Sequence, residues 1–129
     1  MLAKDIMTTH VITVSPMTSI KRLAQILSQA QISGAPVVDK TGKVIGLVSE
    51  MDLLVGKGAQ VKSIMSKKVF CVTEDATLEE IASVMTRAKV KRLPVMRGEK
   101  LAGIISRADI VSALAIGEHI ATHTPIYDL

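Results

Sequence analysis

Along this chain the apolar positions change period in a fixed order, and the order occurs twice. A short β-branched run (Val11 to Val14; Val69 to Val72) leads into polar residues, then into apolar residues three and four apart: Ile20, Leu23, Ala24 and Leu27 in one copy, Leu78, Ile81, Ala82 and Met85 in the other. That spacing predicts a helix with one apolar face, and Thr77 with Glu80 supplies a T-x-x-E capping box at the start of the second. A strand opening on Pro follows (Ala35 to Asp39; Leu93 to Arg97). Next come a turn at Asp39-Lys40-Thr41-Gly42 or Arg97-Gly98-Glu99, a longer β-branched strand, and a second helix. Each copy thus reads β-α-β-β-α. The crossover helix makes the first two strands parallel and the tight turn makes the last two antiparallel. The fold class is α/β, of α+β character: two units, each a small mixed sheet with helices on one face.

Self-superposition sharpens the repeat. A shift of 58 places Ile6 on Ile64, Met7 on Met65, Val11 on Val69, Val14 on Val72, Ala24 on Ala82, Ala30 on Ala88 and Pro36 on Pro94. With one residue fewer in the second turn, a shift of 57 places Lys43 on Lys100, Gly46 on Gly103, Ser49 on Ser106 and Asp52 on Asp109. This divides the chain into units 1–58 and 59–116 and a tail 117–129, with Gly56 to Ala59 as the linker. Two copies are too few for a solenoid, so a pair related by a pseudo-twofold axis is the expected arrangement.

The most informative stretch is Gly42 to Leu54, GKVIGLVSEMDLL, which returns as Glu99 to Val111, EKLAGIISRADIV. In each copy the strand ends on Ser, a helix begins at once, and an Asp stands three residues after the Ser. Unpaired N–H groups and the positive end of a helix dipole make such a junction suited to an anion such as phosphate. The same S-x-x-D pattern is also a plain helix cap, and the two roles can coexist.

Composition narrows the function classes. At 129 residues and 48% hydrophobic, the chain can bury roughly two-thirds of its unfolded surface and needs no staples. Cys71, the single cysteine, lies in the apolar run Val69 to Val72, which predicts a buried thiol in a reducing compartment. No leader pattern opens the chain and no apolar stretch approaches the roughly 20 residues of a membrane span, so a cytoplasmic location is expected. The net charge of +4 is spread evenly: 6 Lys/Arg against 4 Asp/Glu in 1–58, and 10 against 8 in 59–129. With 2% aromatic residues and no Trp, stacking platforms for nucleic acid are missing. No Ser or Cys stands in a nucleophile–His–acid spacing and no glycine-rich phosphate loop occurs, so neither catalysis nor a cofactor is expected. His119 and His123, four apart in the tail, have no evident third ligand and read as a solvated helix end rather than a metal site. Met17, Met51, Met65, Met85 and Met96 are expected to fill gaps in the core.

With these residues in place the chain resembles a tandem pair of cystathionine-β-synthase (CBS) domains, a Bateman module, from about Lys4 to Ala115. The resemblance rests on G-h-h-S-x-x-D in both copies, on DIMTTHVITV and SIMSKKVFCV ahead of them, and on ISGAPVV and KRLPVM between. It implies regulatory binding of adenosine-containing ligands (AMP, ADP or ATP, with S-adenosylmethionine or NAD as alternatives) in clefts between the two units. It also implies a homodimer and a regulated partner that the sequence does not identify; a ligand-free protein-interaction scaffold is the competing class. Carried over by position, the ribose-binding Asp falls on Asp52 and Asp109, and the phosphate-side hydroxyl on Ser49 and Ser106. The phosphate-facing basic pair falls on Lys91 and Arg92, joined by Arg107. The first copy departs from this pattern, with Ser33, Gly34 and Glu50 at those places. The adenine side is implied near Thr8, Ile12, Ser33 and Gly34 for one cleft, and near Ser66, Phe70, Lys91 and Arg92 for the other.

Overall fold

Hydroxyl side chains open the two long helices. In the computed structural model, which describes residues 1–116, Ser19 Oγ accepts the Arg22 N–H at 3.1 Å and starts α2 (Ile20–Ala30), after the short α1 (Ala3–Ile6). Five further elements then lie between α2 and its counterpart α5 (Leu78–Ala88), where Thr77 Oγ1 accepts the Glu80 N–H at 3.2 Å. The expected box at Thr77 is only half formed, because the Glu80 carboxylate receives the Thr77 hydroxyl and not a backbone N–H. Leu23 and Leu27 are buried on α2, and Leu78, Ile81 and Met85 on α5. Ala24 is exposed, so the inner stripe of α2 is narrower than its spacing suggests.

Each long helix feeds a hairpin. β1 (Gly34–Val38) pairs antiparallel with β2 (Val44–Ser49), which runs into α3 (Glu50–Val55); the short α4 (Val61–Ile64) follows. In the second repeat β3 (Val72–Thr73) lies parallel to β4 (Arg92–Arg97), and β4 pairs antiparallel with β5 (Lys100–Ser106), which runs into α6 (Arg107–Ala115). The two hairpins share their registers, Gly34 opposite Ser49 and Arg92 opposite Ser106, and both bulge at the same place, after Val37 and after Val95. Gly42 and Gly98 turn them at φ +84° and +60°, where a side chain is strained. The strand expected over Val11 to Val14 is reduced to a single parallel bridge, Val14 to Val37.

The chain forms two compact units that do not coincide with the sequence repeats. Val11–Val69 makes one, here the Ser49 unit; Met1–His10 together with the chain from Phe70 makes the other, the Ser106 unit. The expected linker Gly56 to Ala59 therefore lies inside the Ser49 unit, where the Gly56 N–H donates to the Asp52 carbonyl and the Ala59 carbonyl accepts the Ile20 N–H. The segment preceding each repeat docks on the last strand of the other repeat. Thr8 exchanges two backbone hydrogen bonds with Ile104 (2.9 and 3.0 Å), and Ser66 does the same with Leu47 (2.8 and 3.0 Å). These straps cover one edge of β5 and of β2. They also explain the prolines: Ile104 and Leu47 lie opposite Pro94 and Pro36 in the ladders, and since their N–H and C=O groups turn to the straps, no bond to a proline nitrogen is missing there.

A glycine makes room at each crossing. A Cβ on Gly103 would stand 2.5 Å from Met7 Sδ and 2.9 Å from the Thr8 carbonyl oxygen, and one on Gly46 would stand 2.8 Å from both Met65 Sδ and the Ser66 carbonyl oxygen. The cores follow the same division. Val14, Leu23, Leu27, Ala35, Val37, Val48 and Val61 pack together in the Ser49 unit. In the Ser106 unit Ala3 of the strap joins Val72, Ile81, Met85, Leu93, Val95, Ile105 and Ile110. Cys71 is exposed, because Val72 beside it takes the inward position and alternation turns the thiol away. Met85 is buried and Met65 and Met96 are half-buried, but Met17 and Met51 are exposed and fill no core gap. Among the described residues no helix is long and apolar enough to cross a membrane. His119 and His123 lie outside the described residues.

Ion pairs add to the seam of the N-terminal strap. Lys4 Nζ lies 3.3 Å from Asp75, and Arg97 holds Glu74 in a bidentate pair at 2.6 and 2.8 Å. The hydrogen bonds from Arg97, reinforced by the charges of Arg97 and Lys4, hold the Glu74 carboxyl below its ordinary value of 4.5.

Two outcomes follow from these contacts. Gly103→Ala should cost about 1–3 kcal/mol in urea unfolding, since the Thr8 carbonyl cannot move aside as a methionine end can, whereas Gly98→Asn, in open space and with the side chain that best tolerates a left-handed angle, should cost less. The depressed Glu74 carboxyl favours the folded state above pH 4.5, and this contribution is lost as the pH falls through its lowered folded value. Glu74→Gln should therefore lower the melting temperature at pH 7 and lower it less as the solution is made acid.

Candidate functional site

Both strand-to-helix junctions close with the same reciprocal cap. The Ser49 N–H donates to Asp52 Oδ2 at 2.8 Å while Ser49 Oγ accepts the Asp52 N–H at 3.3 Å; for Ser106 and Asp109 the two distances are 2.8 and 3.2 Å. All four side chains are part-buried. The cap uses one oxygen of each carboxylate and the acceptor side of each hydroxyl, so the second carboxylate oxygen and the hydroxyl proton fall outside it. The first helical N–H is also committed: Glu50 donates to the Ser33 carbonyl and Arg107 to the Lys91 carbonyl, each at 2.9 Å. The residue ahead of each Pro-containing strand is thereby tied to the start of the last helix. Chemically, each junction offers an oriented carboxylate able to accept from hydroxyls beside a hydroxyl able to donate to an oxyanion.

The expected site residues divide between the units in a way the sequence does not reveal. The Ser106 unit brings together Lys91, Arg92, Ser106, Arg107 and Asp109, with Thr8 docked two residues before Ser106 and with Phe70 packed on the core cluster. The Ser49 unit brings together Ser33, Gly34, Ser49 and Asp52, with Ser66 docked two residues before Ser49, and Ile12 belongs to the same unit. Thr8 and Ile12, grouped by sequence, belong to different units.

Sequence reading misses Lys89. It stands at the left-handed end of α5 (φ +56°) and, with Met85, Thr86, Val90, Lys91 and Arg107, lines a cavity of about 350 Å³. A comparison of charges at the repeat shift finds it, since the first repeat carries Gln31 there. Among the described residues no group of three His, Cys, Asp or Glu is placed to hold a metal ion.

Comparison with known proteins adds a family. The family model for the CBS domain matches residues 3–56 and 61–116. Inosine-5'-monophosphate dehydrogenase of Methanocaldococcus jannaschii is 36% identical over 112 residues, which is 84% of this chain but 23% of that enzyme, so the chain spans less than a quarter of its length. The CBS domain-containing protein YhcV of Bacillus subtilis is 30% identical over 114 residues, 83% of this chain and 81% of that one. Among solved structures, CBSX2 in complex with AMP superposes with a TM-score of 0.82 at 29% identity, covering 91% of this chain and 98% of that chain. The CBS domain pair of protein MJ0100, in complex with 5'-methylthioadenosine and S-adenosyl-L-methionine, superposes with a TM-score of 0.86 at 27% identity, covering 92% and 98%.

The cap geometry separates two kinds of variant. Ser106→Ala removes the acceptor for the Asp109 N–H and should cost about 1 kcal/mol in urea unfolding. Asp109→Asn keeps an oxygen for the Ser106 N–H and should cost less than half of that.

Proposed function

Because the chain belongs to the CBS domain family and carries two copies of the domain in tandem, we propose that it is a regulatory module with one seat for an adenosine-containing ligand on each copy. The observation that carries this reading is the doubled Ser–Asp cap. At each junction the second oxygen of Asp52 or Asp109 accepts the ribose hydroxyls, and the hydroxyl of Ser49 or Ser106 donates to a phosphate. Lys91, Arg92 and Arg107 neutralise that phosphate in the Ser106 unit, and AMP, ADP or ATP is its ligand. Thr8, Ile12, Ser33, Gly34, Ser66 and Phe70 contribute the adenine side. The Ser49 unit has Ser33, Gly34 and Glu50 where the other has Lys91, Arg92 and Arg107. Glu50 repels a phosphate chain, so this seat suits an uncharged adenosyl compound such as the 5'-methylthioadenosine held by the MJ0100 pair.

In this reading the protein has no turnover of its own and acts in the cytoplasm on a partner that it regulates. It does so as a homodimer through the apolar side chains exposed on α3 and α6. Leu54 and Val55 are 80% and 68% exposed, and Val111 and Ile116 are 63% and 73% exposed, more than isolated surface residues account for. Light scattering at micromolar concentration should give the mass of two chains; a monomer mass would remove this part of the reading.

Calorimetric titration with AMP and 5'-methylthioadenosine tests the seats. One charge-assisted hydrogen bond is worth about 1.5–3 kcal/mol, so the Ser106 seat should bind AMP at least about tenfold more tightly than the Ser49 seat at low salt. Asp109→Asn should remove the tight AMP event and Asp52→Asn should leave it. The reverse pattern would show the assignment to be wrong, and no binding of any adenosine compound would favour a scaffold.

A further inference from the structure

The division into compact units redistributes the charge. By sequence halves the surplus of cations is even, but the Ser49 unit holds 8 Lys/Arg against 3 Asp/Glu, whereas the Ser106 unit holds 8 against 7 among its described residues. We propose that part of this surplus, gathered at the start of α2, forms a docking surface for an acidic, leucine- or methionine-bearing segment of a partner protein. That this partner is the one the module regulates rests on the function proposed above.

Backbone contacts bring the surface together. The Lys62 N–H donates to the Pro16 carbonyl and the Val61 N–H to the Thr18 carbonyl, each at 2.9 Å, while the Ile20 N–H donates to the Ala59 carbonyl at 3.2 Å. Lys21 and Arg22, in the first turn of α2, thus stand beside α4, which carries Lys62. Lys57 is held to the same place by its neighbours, since a Cβ on Gly56 would collide with Ile64 and one on Gly58 with Ser63. Met17, next to Pro16, is 60% exposed, and its carbonyl accepts from Gln60 Nε2 at 3.3 Å. All four cations are exposed, and none of them is in an ion pair among the described residues. The acids of the unit lie elsewhere, Asp39 in the hairpin turn and Glu50 and Asp52 at the start of α3.

The second repeat builds the same corner with the opposite charge. The Lys4 N–H donates to the Glu74 carbonyl at 3.0 Å and the Ala3 N–H to the Ala76 carbonyl at 2.8 Å, as Lys62 and Val61 do in the first. There Glu74, Asp75, Glu79 and Glu80 stand at the places of Pro16, Met17, Lys21 and Arg22. Arg97 and Lys4 answer Glu74 and Asp75 from within the chain, whereas the basic corner has no acid to answer it. Packing therefore does not require the cations. Helix energetics opposes them, because Lys21 and Arg22 face the positive end of the α2 dipole, at the position where α5 has its two glutamates. An acidic occupant relieves that repulsion. A protein fits better than nucleic acid or a lipid surface: the Ser49 unit has no aromatic residue to stack on a base or to sit at a membrane interface, whereas exposed Met beside Arg is characteristic of protein interfaces. A second copy of the chain is less suited, since two of its four corner acids are already paired.

Lys21→Glu combined with Arg22→Glu tests this, because it gives α2 the first-turn residues that α5 already carries. A fluorescent glutamate-rich peptide with one central leucine is titrated by anisotropy into the full chain, without nucleotide, at two salt concentrations. At low salt the double variant should bind roughly tenfold more weakly, Lys40→Gln in the hairpin turn should bind as the wild type does, and added salt should narrow the difference. The double variant should melt no lower than the wild type, so that weaker binding is not unfolding. No binding by the wild type, equal binding by the double variant, or an equal loss in Lys40→Gln would overturn the surface. Tighter corner-dependent binding of phosphatidylglycerol vesicles or duplex DNA would overturn its assignment to a protein, and self-association lost in the double variant would give the corner to a second copy instead. The peptide assay contains no nucleotide, so it can fail while both ligand seats bind AMP, and the seats can fail while it succeeds.

Discussion

The first N–H groups of a helix have no partners within the helix, and here the problem is posed twice, at the point where the last strand of each hairpin becomes a helix. Ser49 with Asp52 and Ser106 with Asp109 solve it from both sides, the hydroxyl taking the third helical N–H and the carboxylate returning to the N–H of the Ser. Much else follows from this cap. It ends the strand, it begins the helix, and with the Ser33 and Lys91 carbonyls it holds the start of the Pro-containing strand against the helix end. It also fixes a carboxylate by a stabilising bond, so its second oxygen is held in one orientation at no cost to the fold.

The glycines of the motif answer a second constraint. Gly46 and Gly103 lie under the backbone of the opposite repeat's leading segment, and the close contacts with Met65–Ser66 and Met7–Thr8 leave no space for a methyl group. Because each strap docks on the other repeat's strand, the two compact units share the chain reciprocally, passing at His10–Val11 and at Val69–Phe70. Loss of the N-terminal strap would thus uncover β5, on the second repeat, and not the strand of the repeat that it precedes.

What could be read from sequence was what is local. The S-x-x-D caps, the hairpins with Gly42 and Gly98 at their turns, and the buried face of α5 depend on neighbours within a few residues, and all are present. The exchange of straps was not legible, because Asp5-Ile6-Met7-Thr8 and Ser63-Ile64-Met65-Ser66 resemble each other and nothing in a repeat says which copy docks on which. The exposure of Cys71 and Met51 has a related reason: hydrophobicity alone does not tell which side of a short strand or helix meets the core. One lysine at a helix end is ordinary, and only the contrast with Gln31, Ser33 and Glu50 makes Lys89 informative.

The two caps are alike and their surroundings are opposite in charge, and in the proposed function the cap of the second repeat is the tighter phosphate-bearing seat. The most direct test is a nitrogen-15 NMR titration of the full chain with AMP, following the backbone amides of Ser49, Asp52, Ser106 and Asp109. Ser106 and Asp109 should shift at AMP concentrations at least about tenfold below those that move Ser49 and Asp52, given the extra charge-assisted contacts. Amides of Ser49 and Asp52 that shift first, or caps that stay unmoved while AMP binds elsewhere, would contradict it.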